Sequence, residues 1–428
     1  MTRKLDKITC AYETPVFMKD IPEDLRPHLK PNGTDPSKNG GIPQTLIEWG
    51  NYMFDYHARI NYLYTNQDQD FQYKLIESLE PNEFYIYPIS IGRGEYFDML
   101  RDTGFDCVHP KVLEDVRNNR ALIVLLQQHE GHSGIPDYGS NDYCILQSWI
   151  ECHDLPGQNV VYIHGNLRGA ELAKLAGCTA RVENVSVFEH WIHHNLQEKP
   201  LPFMPHPETP LYMCLNRRAR PHRLYLLDQL YCHNLHEKGI VSYHIEDMEF
   251  FKYYINNFES PSVEYFQNNP RREVDVSLDI NQANNLNPEF HSQTFLHLNT
   301  ETLHDNRGIF FSEKIFKPII AGQPFLLLGN PGSLKMLHKM GYKTFSDWWD
   351  ESYDSDTNWH SRTDTVVQIL KHLDTLGLDR LVEMRQEMQP VLQHNIDTFR
   401  ERYQRYFPTH CQPLIDIINR NMERLKTL

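Results

Sequence analysis

Residues 310–329 read FFSEKIFKPIIAGQPFLLLG, and the polar residues near the start of this stretch have the types and spacing for chemistry. Ser312 is a good helix N-cap, and Glu313 is favoured in a first turn by the helix dipole. The free N–H groups of that turn, with Lys314 beside them, form a site for a phosphate group. The plainer reading is a surface ion pair between Glu313 and Lys317, four apart on one helical face and worth about 0.2–0.5 kcal/mol. A second concentration is LNRRARPHR at 215–223, where Arg217, Arg218, Arg220 and Arg223 fall within seven residues of an acidic chain. Guanidinium forks match phosphate oxygens, and a strand-to-helix turn adds backbone donors. A solvated basic loop paired with nearby carboxylates is the alternative. Glu301, in FLHLNTETLHDN, follows a strand pattern and can either hydrogen-bond hydroxyl groups of a ligand or cap a loop.

The pattern S-E-K-I-x-K-P-I-x-x-x-x-P-F, with Gly329 after it, resembles the nucleotide-binding helix of fucosyltransferase-like and related GT-B glycosyltransferases. The resemblance spans about residues 212–354. It implies that Glu313 holds ribose hydroxyls and Lys314 phosphates, with Ser312 and Lys317 on the same helix start. The arginine turn is similar to the basic loop that such enzymes place against a donor diphosphate. The implied architecture is two Rossmann-like domains with donor and acceptor in the cleft between them. The implied substrates are a nucleotide sugar and an unidentified acceptor. Inverting transfer needs a base on the acceptor side. Glu130, in QQHEGH at 127–132, is the first candidate, with His129 and His164 next. Its position resembles that of the family's glutamate base, but its flanking residues differ from the family's motif, so base and stereochemistry stay open.

Basic side chains and helix dipoles can stabilise a leaving diphosphate, so neither metal nor cofactor is required. The acidic run DESYD at 350–354 suggests a metal site by composition. Following GYKTF, it also resembles a structural piece of phage-borne glycosyltransferase-like proteins, which favours a structural role. Two other functions share these features. One is a phage enzyme that glycosylates modified DNA bases, against which the net charge of −15 weighs. The other is a non-catalytic binding or assembly module that keeps the fold.

The elements that must position these residues alternate. Strands are predicted over 83–91, 121–127, 159–164, 211–215, 239–245, 294–298, 325–328 and 342–345. Helices are predicted over 45–66, 109–118, 141–153, 167–176, 223–235, 312–321 and 332–339, and through most of the chain after 354. Gly322 and Pro324 end the helix at 312–321, while Pro318 should kink it or delay its start. Residues 246–287 are weakly patterned, with one helix at most. Alternating strands and helices argue for α/β architecture with parallel, doubly wound sheets.

The chain has 428 residues, which suits two domains. Residues 1–45 read as an extended arm covering the body, 46–200 as an acceptor-side Rossmann-like domain, 211–355 as the nucleotide-sugar-binding domain, and 356–428 as closing helices. Five prolines in 200–210 mark the boundary. No apolar run reaches the length of a membrane span, no apolar leader opens the chain, and eight scattered cysteines form no CxxC pair. These features point to a cytoplasmic protein, in the host cytoplasm if viral. The 23 histidines show no ligand spacing, and an acidic chain is a poor general binder of nucleic acid.

Overall fold

The computed structural model describes residues 8–12, 71–90, 108–127, 142–186, 188–255, 259–274, 285–304, 308–406 and 412–428. Its contacts divide the chain into two units, Met1–Val185 with Tyr406–Leu428, and Ser186–Arg405.

In the first unit, β1 (Ile8–Tyr12), β2 (Phe71–Leu75), β3 (Tyr85–Ser90), β4 (Ala121–Gln127), β5 (Val160–His164) and β6 (Arg181–Asn184) form one parallel sheet in the order β2-β1-β3-β4-β5-β6. Three helices stand between its later strands: α1 (Pro110–Arg117), α2 (Asp142–Cys152) and α3 (Gly169–Leu175). The side-chain period of two sorts the apolar strand residues onto two faces. Ile123, Leu125 and Tyr162 join Val112, Leu146 and Trp149 in one core. Leu122, Val124 and Ile163 join Ile417, Ile418, Met422 and Leu425 in another. A strand apolar at every position, such as ALIVLLQ, therefore needs cover on both sides.

The second unit begins with α4 (Phe188–Ile192) and continues through β7 (Tyr212–Leu215), α5 (Pro221–Cys232), β8 (Gly239–His244), α6 (Met248–Ile255), α7 (Pro261–Asn268) and β9 (Arg271–Arg272). It then runs through α8 (Pro288–Gln293), β10 (Leu296–Thr300), α9 (Glu313–Ala321), β11 (Phe325–Leu328) and α10 (Ser333–Lys339). Three long helices follow: α11 (Trp359–Thr375), α12 (Gly377–Glu387) and α13 (Gln389–Tyr406). The sheet order is β11-β10-β7-β8-β9, parallel except for the β8–β9 pair. The last helix, α14 (Gln412–Lys426), returns to the first unit and carries Ile417, Ile418, Met422 and Leu425 onto its sheet.

The α/β class and the parallel sheets agree with the sequence reading, and four local expectations need revision. Residues 8–12 of the expected arm are an interior strand, paired with β2 on one side and with Ile86 of β3 on the other. The rest of the arm and the helix expected over 45–66 lie outside the described residues. The division between units falls at 185/186, ahead of the proline-rich segment expected to mark it. That segment is tied into the second unit: Leu201 N–H donates to the Ala321 carbonyl at 2.8 Å and Met204 N–H to that of Ser292 at 2.9 Å. Residues 246–287 hold two helices and β9 rather than one helix at most. Residues 342–345 are not a strand. Lys343 N–H donates to Asn395 Oδ1 and Phe345 N–H to Glu351 Oε1, each at 2.8 Å, so side chains take the donors a ladder would need.

Helix α9 starts at Glu313 despite Pro318, with Ser312 as its N-cap accepting from Lys314 N–H. It ends at Gly322, whose φ of 64° and ψ of 49° are left-handed, and Gln323 N–H closes the turn on the Pro318 carbonyl at 2.9 Å. A Cβ at Gly322 would stand 2.6 Å from Pro200 Cβ. Gly322→Ala therefore combines an unfavourable φ with a clash, and should cost roughly 2 kcal/mol or more. Denaturant unfolding checks this; a midpoint equal to the parent's would show that the linker moves aside freely.

Candidate functional site

The second sheet changes its direction of growth between β7 and β10, because β8 and β9 are added on one side of β7, and β10 and β11 on the other. In open α/β sheets the crevice outside the carboxyl ends of the strands at such a point is where ligands bind. Three sequence segments meet at this edge: the turn after β7, the end of β10, and the start of α9, which runs back toward the start of β11.

Glu301 joins them. Its carbonyl accepts from His222 Nε2 at 2.9 Å and from an Arg223 guanidinium nitrogen at 3.4 Å, and that nitrogen also donates to the Thr300 carbonyl at 3.0 Å. Its carboxylate accepts from Ser312 Oγ at 2.7 Å, Ser312 N–H at 3.2 Å and Thr302 N–H at 3.3 Å. The residue is 1% exposed, and burial raises its carboxyl pKa against the opposing pull of Lys314 and Ser312. Thr300 Oγ1 donates to Asn216 Oδ1, which fixes the first residue of the arginine turn to β10. Gly329, at the end of β11, packs beside Glu301, and a Cβ there would crowd Ser333 Oγ at 3.0 Å.

Of the residues expected to bind a donor, Ser312, Glu313 and Lys314 stand together at the helix start. Lys314 Nζ donates to Ser312 Oγ at 3.1 Å and lies 3.3 Å from Glu313 Oε1. The ion pair is thus with Lys314, not the Glu313–Lys317 pair that spacing suggests. Lys317 lies deeper, where burial lowers its pKa and its charge acts on His291 and His297.

The four arginines divide. Arg217 and Arg218 are exposed, and among the described residues neither side chain has a polar partner. Arg220 is the half-buried N-cap residue of α5, without a side-chain capping bond. Arg223 is buried on the Thr300, Glu301 and Arg218 carbonyls, so it braces the edge from inside. Arg218, Asn216, Cys214, Ser242, Tyr243 and His244 line part of a small cleft of about 20 Å³, room for about one water, beside the ends of β7 and β8.

Sequence reasoning missed His222, although it lies inside the same LNRRARPHR turn. Its ring stacks on His304 with centroids 4.2 Å apart, and burial, His304 and Arg223 push its pKa well down. The donated bond to Glu301 assigns the proton to Nε2. The cleft residues Ser242 and His244 also went unnoticed, since their positions in β8 carry no motif.

On the first sheet, Glu130 and His129 lie outside the described residues. His164 is buried at the end of β5. It accepts from Asn166 N–H at Nδ1, 3.1 Å, and meets Tyr143 Oη at Nε2, 3.2 Å. Burial lowers its pKa to about 3, so both ring nitrogens are engaged in a neutral ring that braces the strand end rather than standing ready to take a proton. The acidic run at 350–354 is likewise engaged. Asp350 binds Ser352, Glu351 accepts from Thr344 and Phe345, and Asp354 accepts from the Leu334 and Lys335 N–H groups at the start of α10. Among the described residues, no group of three or more His, Cys, Asp or Glu side chains could hold a metal ion. Nor is any described helix long and apolar enough to cross a membrane.

No family model matches the chain, and no curated protein does. Among solved structures it is similar to an alpha1,3-fucosyltransferase, at 11% identity and a TM-score of 0.37, over 96% of this chain and 93% of that one. It is also similar to a protein described as a UDP-N-acetylglucosamine 2-epimerase from Listeria monocytogenes, at 9% identity and a TM-score of 0.31, over 95% and 98% of the two chains. Likeness at this level adds nothing to what the two parallel sheets show by themselves.

Removing the Glu301 carboxylate leaves the Ser312 N–H and hydroxyl without their acceptor. Glu301→Ala should cost about 2 kcal/mol in denaturant unfolding, and Glu301→Gln, which keeps one acceptor oxygen, about half as much. Equal losses for the two variants would show that side-chain volume, not the acceptor, secures the helix start.

Proposed function

We propose that this chain is a glycosyltransferase that takes a nucleoside-diphosphate sugar on its second unit and moves the sugar to an acceptor hydroxyl. The observation that supports this best is the switch-point edge of the second sheet. It presents the exposed Arg217 and Arg218 on one flank and the N-terminus of α9, with Glu313 and Lys314, on the other. Exposed arginines on one flank, with Lys314 and a helix N-terminus on the other, suit a diphosphate. The resemblance of the S-E-K helix to fucosyltransferase-like GT-B enzymes points the same way.

In this reading Arg217, Arg218, Arg220 and Lys314 hold the diphosphate and Glu313 the ribose, while Ser312, Glu301, His222 and Arg223 keep the two flanks in place. Lys317 supports the helix from its inner side. The bond from the anomeric carbon to the phosphate oxygen breaks, and a bond from that carbon to the acceptor oxygen forms. The leaving diphosphate gains negative charge, which the cations and the helix dipole stabilise more strongly than in the ground state. The acceptor's proton goes to a base on the first unit, for which we propose Glu130. The acceptor is a hydroxyl compound whose identity the donor site does not specify.

Lys314→Ala should weaken binding of a nucleoside diphosphate about ten- to hundredfold in titration calorimetry, the scale of a lost hydrogen bond to a charged group. No binding of uridine or guanosine diphosphate to the parent at millimolar levels would sink the reading. Glu130→Ala should leave that affinity intact while turnover falls by about a hundredfold or more. Turnover should also survive EDTA, because arginines, Lys314 and the helix dipole carry the leaving-group charge. Loss in EDTA restored by manganese would assign that work to a metal.

A further inference from the structure

Arg385, on α12, is 2% exposed, and none of its three guanidinium nitrogens has a hydrogen-bond partner. Its carbon stands 5.8 Å from the centre of the Phe203 ring, which can share the charge but cannot accept the five N–H bonds. Burial lowers its pKa only to about 9, so it is a cation at neutral pH. A buried charge without counter-charge is among the costliest features a fold can hold, and buried guanidinium groups are normally paired.

A second cation, Lys317, lies nearby, with the Glu313 carboxylate acting on it. Lys317, on the inner side of α9, and Arg385 both act electrostatically on His291 of α8, and Lys317 also acts on His297 of β10. His291 and His297 are 5.7 Å apart, ring centre to ring centre, and both are buried. His291 Nδ1 is fixed at 2.6 Å from Gln323 Oε1, and the Gln323 amide is held in turn by donating to the Thr294 carbonyl at 3.1 Å and hydroxyl at 2.8 Å. That chain of bonds sets the ring, with its proton on Nδ1 and Nε2 an acceptor. His297 Nδ1 has no partner. The cluster thus joins four separate elements, α8, β10, α9 and α12, around two cations, one of which, Arg385, has no hydrogen-bond partner. It lies toward the amino-terminal ends of β10 and β11, the opposite edge from the switch-point site, because His291 and Gln323 precede those strands.

We propose that Arg385 and Lys317 form a second, interior anion site that takes a small oxyanion of the phosphate, sulfate or carboxylate class. The guanidinium fork supplies paired donors to two oxygens and Lys317 a third charge-assisted bond, while His291, whose pKa burial lowers to about 3, lines the site as a neutral ring. Bound there, the anion fastens α12 to the back of the sheet that carries α9. This site is independent of the glycosyltransferase reading.

The test is thermal unfolding of the full chain titrated with inorganic phosphate and sulfate, against chloride at matched ionic strength. The expected result is a saturable rise in Tm, about 5 °C at a hundredfold excess over the dissociation constant, that chloride does not reproduce. Lys314→Ala should keep this rise, since Lys314 belongs to the other edge. Arg385→Met should lose it, and Lys317→Met should shift the half-saturating concentration upward about tenfold, which serves if Arg385→Met does not fold. No saturable rise in the parent, or an equal rise in chloride, overturns the proposal. So does a rise that Lys314→Ala abolishes while Arg385→Met or Lys317→Met retains it unchanged.

Discussion

β10 is longer than the strand beside it, and the second unit's functional edge is built on that mismatch. Leu296 and His297 pair with Tyr212 and Met213, so β7, ending at Leu215, runs out opposite Asn299. The carbonyls of Thr300 and Glu301 extend beyond the last possible ladder partner on that side, and a buried carbonyl must still be satisfied. His222 and Arg223, from the first turn of α5, supply the missing donors. The Glu301 carboxylate then gathers Ser312, the cap of α9. One residue, through its backbone on one side and its side chain on the other, sets the spacing between the two flanks of the crevice.

That arrangement explains why cations can be concentrated here in a chain of net charge −15. The charges are sorted by depth. Arg223 is neutralised by carbonyl dipoles and Glu301 is buried beside Lys314, leaving Arg217 and Arg218 to meet solvent and Lys314 half-buried next to the buried Glu313. The backbone that carries the outward-facing arginines is held from inside by Arg223 and Asn216.

Stability elsewhere rests on polar residues that complete backbone hydrogen bonding where no ladder can. Asp354 receives two N–H groups at the start of α10, Glu351 and Asn395 receive those of Phe345 and Lys343, and Gln323 joins His291 to Thr294. By composition these segments look like metal sites or strands. Their carboxylates and amides are instead committed to caps. Arg385 departs from this, a buried charge whose environment supplies no such completion.

Residue order alone disclosed what is local. Ser312 as a cap, Gly322 as a left-handed terminator, the strands over 121–127 and 325–328, and the crowding of arginines at 217–223 all follow from propensities and dipoles acting within a few residues. The α/β class was legible for the same reason, since strands apolar at every position require cover on both faces. What covers them was not. The second face of the first sheet is closed by Ile417, Ile418, Met422 and Leu425, nearly 300 residues downstream of β4, and no short-range pattern encodes that return. Nor does the sequence say that Arg223 turns inward while Arg217 and Arg218 face solvent, that Glu301 holds a helix start, or that β1 lies inside a sheet. Those outcomes depend on strand order and on where each strand stops relative to its neighbour. Both are settled by packing between distant segments, because a hydrogen bond fixes only the groups that the rest of the chain has brought together.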